Sequence, residues 1–186
     1  EVACPAGTLY RFNIDGENTV PDPASRAQAL DVHGWSRVVD PLAYEWRHSQ
    51  WQGRPWHTAV IYELHVGAMG GYAGVEKHLP RLAELGVTAI ELMPLAQFPG
   101  ERNWGYDGVL PYAPHATYGT PEQLKQLIDS AHGHGLAVIL DVVYNHFGPD
   151  GNYLGQYAQG FFQEDVHTPW GAGIDFERRE VRDFFL

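Results

Sequence analysis

"YGTPEQLKQLIDSAHGHGLAVILDVVYNH", residues 118–146, joins a helix signature to a strand signature and then to a polar loop. Thr120 suits a helix N-cap, Pro121 the first helical position, and Gln123 completes a capping box. Leu124, Leu127, Ile128 and Ala131 fall on one helical face, and Gly135 suits the C-terminal stop. The run "LAVILDVV" (136–143) reads as a buried strand carrying Asp141, and "YNH" leaves it into a loop.

The same alternation extends upstream. "AVIYELHV" (59–66) and "VTAIELM" (87–93) read as strands. Between them, "GVEKHLPRLAELG" (74–86) places Val75, Leu79, Leu82 and Leu85 at helical spacing, and Pro80 demands a kink or a late start. A long loop is expected over 94–119. Another follows residue 143, and "ERREVRDFFL" (177–186) opens a further helix. Strands linked by helical crossovers make a parallel sheet. A doubly wound sheet and a (β/α) barrel both satisfy the pattern. Three strands cannot close a barrel, so the sequence reads as cut at both ends. In a barrel, chemistry sits on the loops after the strands, and those are the long, chemically rich ones here.

Residues 1–57 are different. "TLYRFNID" (8–15) alternates Leu9, Tyr10, Phe12 and Ile14 and turns at Asp15-Gly16, as a hairpin does. "VPDPASR" (20–26) holds two prolines and cannot be a central strand; "RVVDP" (37–41) suits one more short strand. "WRHSQWQGRPW" (46–56) reads as a linker with aromatic anchors. This is the end of a small β domain, with too few strands to close a sandwich.

Composition narrows the partners. The 186 residues carry a net charge of −11, which argues against nucleic acid and anionic membranes. Aromatics make up 13%, a supply of rings that suits sugar faces as well as cores. Cys4 is the single cysteine, so no internal disulfide forms, and a reducing, cytoplasmic setting is expected. No apolar run is long enough to span a bilayer, and no signal peptide is visible.

Two loops concentrate chemistry. In "NWGYDGVLPYAP" (103–114), Trp104, Tyr106 and Asp107 crowd around two glycines. A ring there can stack on a sugar while Asp107 accepts from its hydroxyls; the plain alternative is a packed aromatic turn. In "DVVYNHFGPDGNY" (141–153), Asp141, Asn145 and His146 stand at the strand's end. They can form a row of donors and acceptors, or simply cap a strand. His65 ends the first strand, where a satisfied core histidine is the plainer reading. Trp170, in "HTPWGAG", is a stacking platform or a loop anchor. The histidines show no zinc-ligand spacing, and there is no phosphate-binding glycine loop and no nucleophile elbow.

The stretch 118–146 resembles the approach to the first signature region of the α-amylase superfamily of glycoside hydrolases. "VIYELHVG" (60–67), "ELMPLAQFPGERNWGYDGVLPYAP" (91–114), "DVVYNHFGPDGNYL" (141–154) and "TPWGAGIDF" (168–176) are similar to its trehalose-releasing branch. Residues 8–41, with "PDPASR" and "VVDP", resemble the end of that branch's N-terminal β-sandwich. The resemblance implies an α/β fold: the first part of a (β/α)8 barrel (58–186) after the end of a β-sandwich and a linker (1–57). It implies retaining hydrolysis of the α-1,4 bond beside the terminal trehalose of a maltooligosyl trehalose. Tyr106 would stack under the sugar at the cleavage point, Asp107 would line the same pocket, and His146 would bond the sugar's hydroxyls. Asp141 and Asn145 would brace the rim, with Trp170 as an aromatic wall. The superfamily's nucleophile, acid and third carboxylate lie on later strands, so the resemblance assigns no catalytic residue here and implies that the isolated chain is inactive. No cofactor and no metal are expected. One departure stands out: "HVGAMGGYAG" (65–74) is shorter than the usual loop. The alternatives are a glycogen branching or debranching enzyme of the same superfamily, or a non-catalytic glucan-binding barrel.

Overall fold

The structure is a computed structural model and describes residues 3–186, the side chain of residue 164 excepted. The N-terminal part holds four short strands: β1 (Leu9–Tyr10), β2 (Phe12–Ile14), β3 (Asn18–Val20) and β4 (Ser36–Arg37). β2 and β3 form the expected hairpin across Asp15-Gly16, and β1 pairs with β4. These are two separate two-stranded ribbons, and among the described residues no sandwich assembles from them.

From residue 61 the strand–helix alternation takes over. β5 (Ile61–Leu64) is followed by α1 (Tyr72–Glu76) and α2 (Leu79–Glu84), then by β6 (Ala89–Leu92). The expected single helix over 74–86 is thus two. Pro80 sits in the first turn of α2, where its missing N–H costs nothing, so the chain breaks at Lys77-His78 and starts again. β7 (Ala96–Gln97) and β8 (Leu110–Pro114) follow as an irregular antiparallel pair inside the stretch expected to be loop. Only a few ladder positions pair, which leaves room for the prolines of "LPYAP".

α3 (Pro121–Gly133) carries the full capping box. The Gln123 N–H donates to the Thr120 hydroxyl at 3.3 Å, and the Thr120 N–H to the Gln123 amide oxygen at 2.9 Å. At the other end, His134 is the C-cap and Gly135 follows with φ +72°. The N–H groups of Gly135 and Leu136 donate back to the carbonyls of His132 and Ala131, closing a Schellman motif. β9 (Ala137–Leu140) completes a parallel sheet of order β5-β6-β9. Then come α4 (Leu154–Tyr157), a hairpin of β10 (Phe162–Thr168) and β11 (Gly171–Ile174), and α5 (Arg179–Phe185).

Leu64, Ile90 and Leu92 pack on Tyr72, Val75, Leu79, Leu82 and Leu127, so the helices cover one face of the sheet. By the two-residue alternation of strands, Glu63 and Glu91 point to the other face, paired in register on adjacent strands. Outer strands β5 and β9 leave Ile61, Tyr62 and Leu140 exposed. The chain as a whole exposes 11211 Å², where a compact monomer of this length exposes about 8,900 Å².

Residues 44–54 are fastened to α3 and its C-terminal end. Asp129, fully buried there, accepts from five donors of residues 44–48: the Tyr44 hydroxyl (3.2 Å), the Arg47 N–H (3.0 Å) and Nε (2.9 Å), and the His48 N–H (2.9 Å) and Nδ1 (3.0 Å). Burial alone would raise this carboxyl's pKa; the Arg47 and His48 donors overcome it and hold it well below the usual range. Trp51 stacks on His132 at 4.6 Å, and Arg54 Nε donates to the Gly135 carbonyl at 2.6 Å. A second core, including Val32, Val109, Phe147, Leu154 and Phe161, joins the N-terminal part to the loops after β6 and β9.

Candidate functional site

The loops after β6 and β9 leave the same end of the parallel sheet and are locked together above it. The Gly148 N–H donates to the Gly108 carbonyl at 3.0 Å. A Cβ at Gly148 would overlap the Asp107 carbonyl, so only glycine allows this approach. Gly105, at φ +103°, lies against the Pro94 carbonyl in the same way. Glycine at these two points lets a tight turn present Trp104, Tyr106 and Asp107 beside the end of β9.

The side chains then knit. The Tyr106 hydroxyl donates to Asp141 Oδ2 at 3.1 Å. Partial burial, then the bond and charge of Asp141, with Glu63 and Glu91 behind it, raise the Tyr106 pKa. The phenol therefore stays a proton donor at neutral pH. His146 Nε2 donates to the Tyr106 carbonyl at 2.8 Å, and its Nδ1 lies 3.2 Å from Asn145 Oδ1. Trp170 covers the imidazole with ring centroids 4.8 Å apart and planes at 27°. His146 is left 7% exposed.

Asn103 links a second group. Its Nδ2 donates to Asp107 Oδ2 at 2.6 Å, while its Oδ1 accepts from the Gly105 N–H at 2.7 Å. Its carbonyl accepts from His65 Nε2 at 2.6 Å. His65 Nδ1 accepts from the Ala68 N–H at 2.9 Å, which places the ring proton on Nε2. Both nitrogens of His65 are thus engaged within the protein, edge-on to Tyr118 at 5.9 Å.

Every candidate residue from the sequence lies at this end of the sheet. Tyr106, Asp141, Asn145, His146 and Trp170 form one cluster, and Asp107 and His65 form a second, linked to each other through Asn103. Trp104 stands out, with 75% of its surface exposed. Two details differ from the sequence expectation. Asp141 lies one residue past β9 rather than within it, although its N–H continues the ladder to the Leu92 carbonyl at 3.0 Å. In this arrangement His146 offers a ligand little, because Trp170 covers its face and Nε2 is taken by Tyr106.

Three residues went unnoticed in the sequence. Asn103 showed only as a loop polar residue, though Asn two positions before a glycine is a known turn-former. Glu63 and Glu91 were legible in principle, as the third residues of two aligned strands, "IYEL" and "AIEL". Among the described residues there is no group of three His, Cys, Asp or Glu side chains able to hold a metal ion. No described helix is long and apolar enough to cross a membrane.

Comparison with known proteins defines the class. Residues 25–186 match the family described as "Alpha amylase, catalytic domain", and the chain belongs to it. Its strand–helix alternation is therefore that of the (β/α)8 barrel type, not of a doubly wound sheet. Within that family, the chain is 48% identical over 181 residues to the malto-oligosyltrehalose trehalohydrolase of Deinococcus radiodurans, covering 96% of this chain and 30% of that one. It is also 48% identical to the enzyme of the same name from Saccharolobus solfataricus, over 97% of this chain and 33% of that one. Among solved structures, a putative alpha amylase from Salmonella typhimurium superposes with a TM-score of 0.95 at 54% identity, over 97% of this chain and 32% of that one. The chain thus spans about a third of the length of the curated relatives it matches.

Proposed function

We propose that this chain is the opening part of the barrel of a retaining glycoside hydrolase that releases trehalose from maltooligosyl trehalose, and that it supplies the sugar-binding rim. The reading rests above all on the hydrogen-bonded cluster Tyr106–Asp141–His146 at the barrel's catalytic end, in a chain that matches trehalohydrolases over almost its whole length. In this reading Tyr106 stacks under the glucosyl ring at the scissile bond, oriented by Asp141. Asp107, held by Asn103, accepts from the ring's hydroxyls. Asn145 braces His146, and Trp170 moves off the imidazole so that His146 meets the sugar. The nucleophile and the acid of the two-carboxylate mechanism belong to strands outside these residues.

The exposed excess of roughly 2,300 Å² over a compact monomer supports an incomplete barrel. So do the open outer strands β5 and β9, which are edges that a closed barrel does not have. Residues 1–57 would then be the end of a preceding β domain with its linker, and 58–186 the start of the barrel. The single cysteine accords with a cytoplasmic enzyme acting on a soluble α-glucan.

Product analysis of the full-length polypeptide carrying this segment tests the proposal. Incubation with maltooligosyl trehalose should yield free trehalose and a shorter maltooligosaccharide. Formation of 1,6-linked branches instead would assign it to the branching enzymes. Binding of α-glucan with no turnover would leave it a glucan-binding barrel.

A further inference from the structure

The N-terminal part reaches the candidate site through one tight turn, residues 31–34. We propose that the tip of this turn, Val32 and His33, is a positioning element for the loop after β9, and through that loop for the sugar-binding rim. The inference rests on the trehalohydrolase reading and adds to it residues that act without touching the sugar.

The turn is fixed from its own side. Asp31 Oδ1 accepts from the His33 N–H at 3.0 Å, and the Asp31 carbonyl accepts from the Gly34 N–H at 3.3 Å. Gln28 Nε2 donates to the same carbonyl at 2.9 Å. Arg11, between β1 and β2, donates to the carbonyls of Gly34 at 3.1 Å and His33 at 2.7 Å, with its guanidinium 4.8 Å from the centre of the Trp35 ring. Bonds from both strands and from the turn itself leave the tip little freedom.

The tip sits where the two site loops meet. Val32 is fully buried and belongs to the second core, with Val109 from the loop after β6 and Phe147 from the loop after β9. A Cβ at Gly151 would overlap a Val32 methyl and press on one of Val109, so the three residues share one seam. One residue before Val109, Gly108 is bonded to Gly148, and Phe147 directly follows His146. His33 then fastens the outside of the loop. The Tyr153 hydroxyl lies 2.6 Å from its Nδ1, and Asp150 Oδ1 lies 3.4 Å from its Nε2. The carboxylate draws the ring proton to Nε2, so Nδ1 accepts from Tyr153. The loop needs such a hold. Residues 141–153 form no strand or helix, and among the described residues no backbone N–H of 150–153 is hydrogen-bonded. Side chains that meet a reacting sugar work only when their support is fixed, and small misplacements from a distance are costly.

The test uses the full-length polypeptide. His33→Ala removes the tip's bonds to Asp150 and Tyr153 and alters no residue of the Tyr106–Asp141 cluster. In it, kcat for trehalose release should fall about fivefold, the worth of one hydrogen bond, with KM changed less than about twofold. His33→Asn sets an amide oxygen near the place of Nδ1, accepts from Tyr153 again, and should bring kcat back to within about twofold of wild type. An unchanged kcat, a loss carried by KM alone, or an equal loss in both variants overturns the proposal. Hydrogen exchange tells the two readings apart. The Gly148 and Leu154 amides, bonded to Gly108 and Asn152, should exchange about fivefold faster in His33→Ala, while those of α3 keep their rates. If the wild type releases no trehalose yet these amides respond, the trehalohydrolase reading fails and the hold of the tip on the loop stands. If they keep their wild-type rates, the positioning role falls whatever the reaction proves to be.

Discussion

Replacing His115 with phenylalanine should flatten the acid sensitivity of the fold. His115 lies next to β8, 1% exposed, with its ring stacked 3.6 Å from Phe98 and edge-on to Tyr118 at 5.1 Å. Neither ring nitrogen has a hydrogen-bond partner. Burial lowers its pKa from 6.5 to about 4, because nothing inside compensates the charged form. Above pH 6.5 both folded and unfolded chains hold it neutral, and it has no pH-linked effect. As the pH falls from about 6.5 to about 4, the unfolded chain takes up a proton that the folded one refuses, and stability is lost. The loss from this one group is about 2 kcal/mol at pH 5 and approaches about 3 kcal/mol below pH 4. His115→Phe keeps an aromatic ring on Phe98 and removes both unpartnered nitrogens, so at pH 7 the change should stay within about 1 kcal/mol. Urea unfolding of wild type and variant across this pH range reads the difference directly. The variant should gain on the wild type steadily as the pH falls. Parallel curves would refute the argument and mean that His115 finds a partner for its proton.

The remaining predictions concern the Asp129 anchor and the site. Asp129→Ala removes the shared acceptor of five donors and should cost about 1–3 kcal/mol by urea unfolding, because the Arg47 and His48 side chains left behind are open to water. The same change should open residues 41–57 to limited proteolysis, and wild type should lose this carboxylate's contribution as the pH falls below its ordinary range. Gly148→Ala drives a methyl into the Asp107 carbonyl, so trehalose release should fall at least about tenfold, with a loss of about 1–3 kcal/mol in stability. Tyr106→Phe keeps the ring and loses only the bond to Asp141, so it should cost about 1 kcal/mol in kcat/KM, whereas Tyr106→Ala should cost several-fold more.

Local chemistry explains what could be read from the sequence. The capping box and Gly135 stop of α3 depend on residues within a turn of one another, and the structure reproduces them. Pro80 announced the break between α1 and α2 for the same reason. The pairing of β7 with β8 was hidden, since Gly, Pro and aromatic residues weaken the period-two pattern and only a few ladder positions form. The Asp129 anchor was invisible because its donors lie more than 80 residues away, and a helical aspartate ordinarily faces water. At the site, residue types identified the right loops but not who bonds whom. That His146 spends Nε2 on a backbone carbonyl follows from how two loops meet at Gly148, and that Asn103 orients Asp107 follows from the turn at Gly105.

The central claim is that these residues hold a sugar which other residues cut. Trehalose assayed side by side from the isolated 186-residue chain and from the full-length polypeptide, each supplied with maltooligosyl trehalose, tests it most directly. The account predicts release by the full-length polypeptide and none by the isolated chain. Trehalose from the isolated chain would contradict it and place the nucleophile among these residues after all.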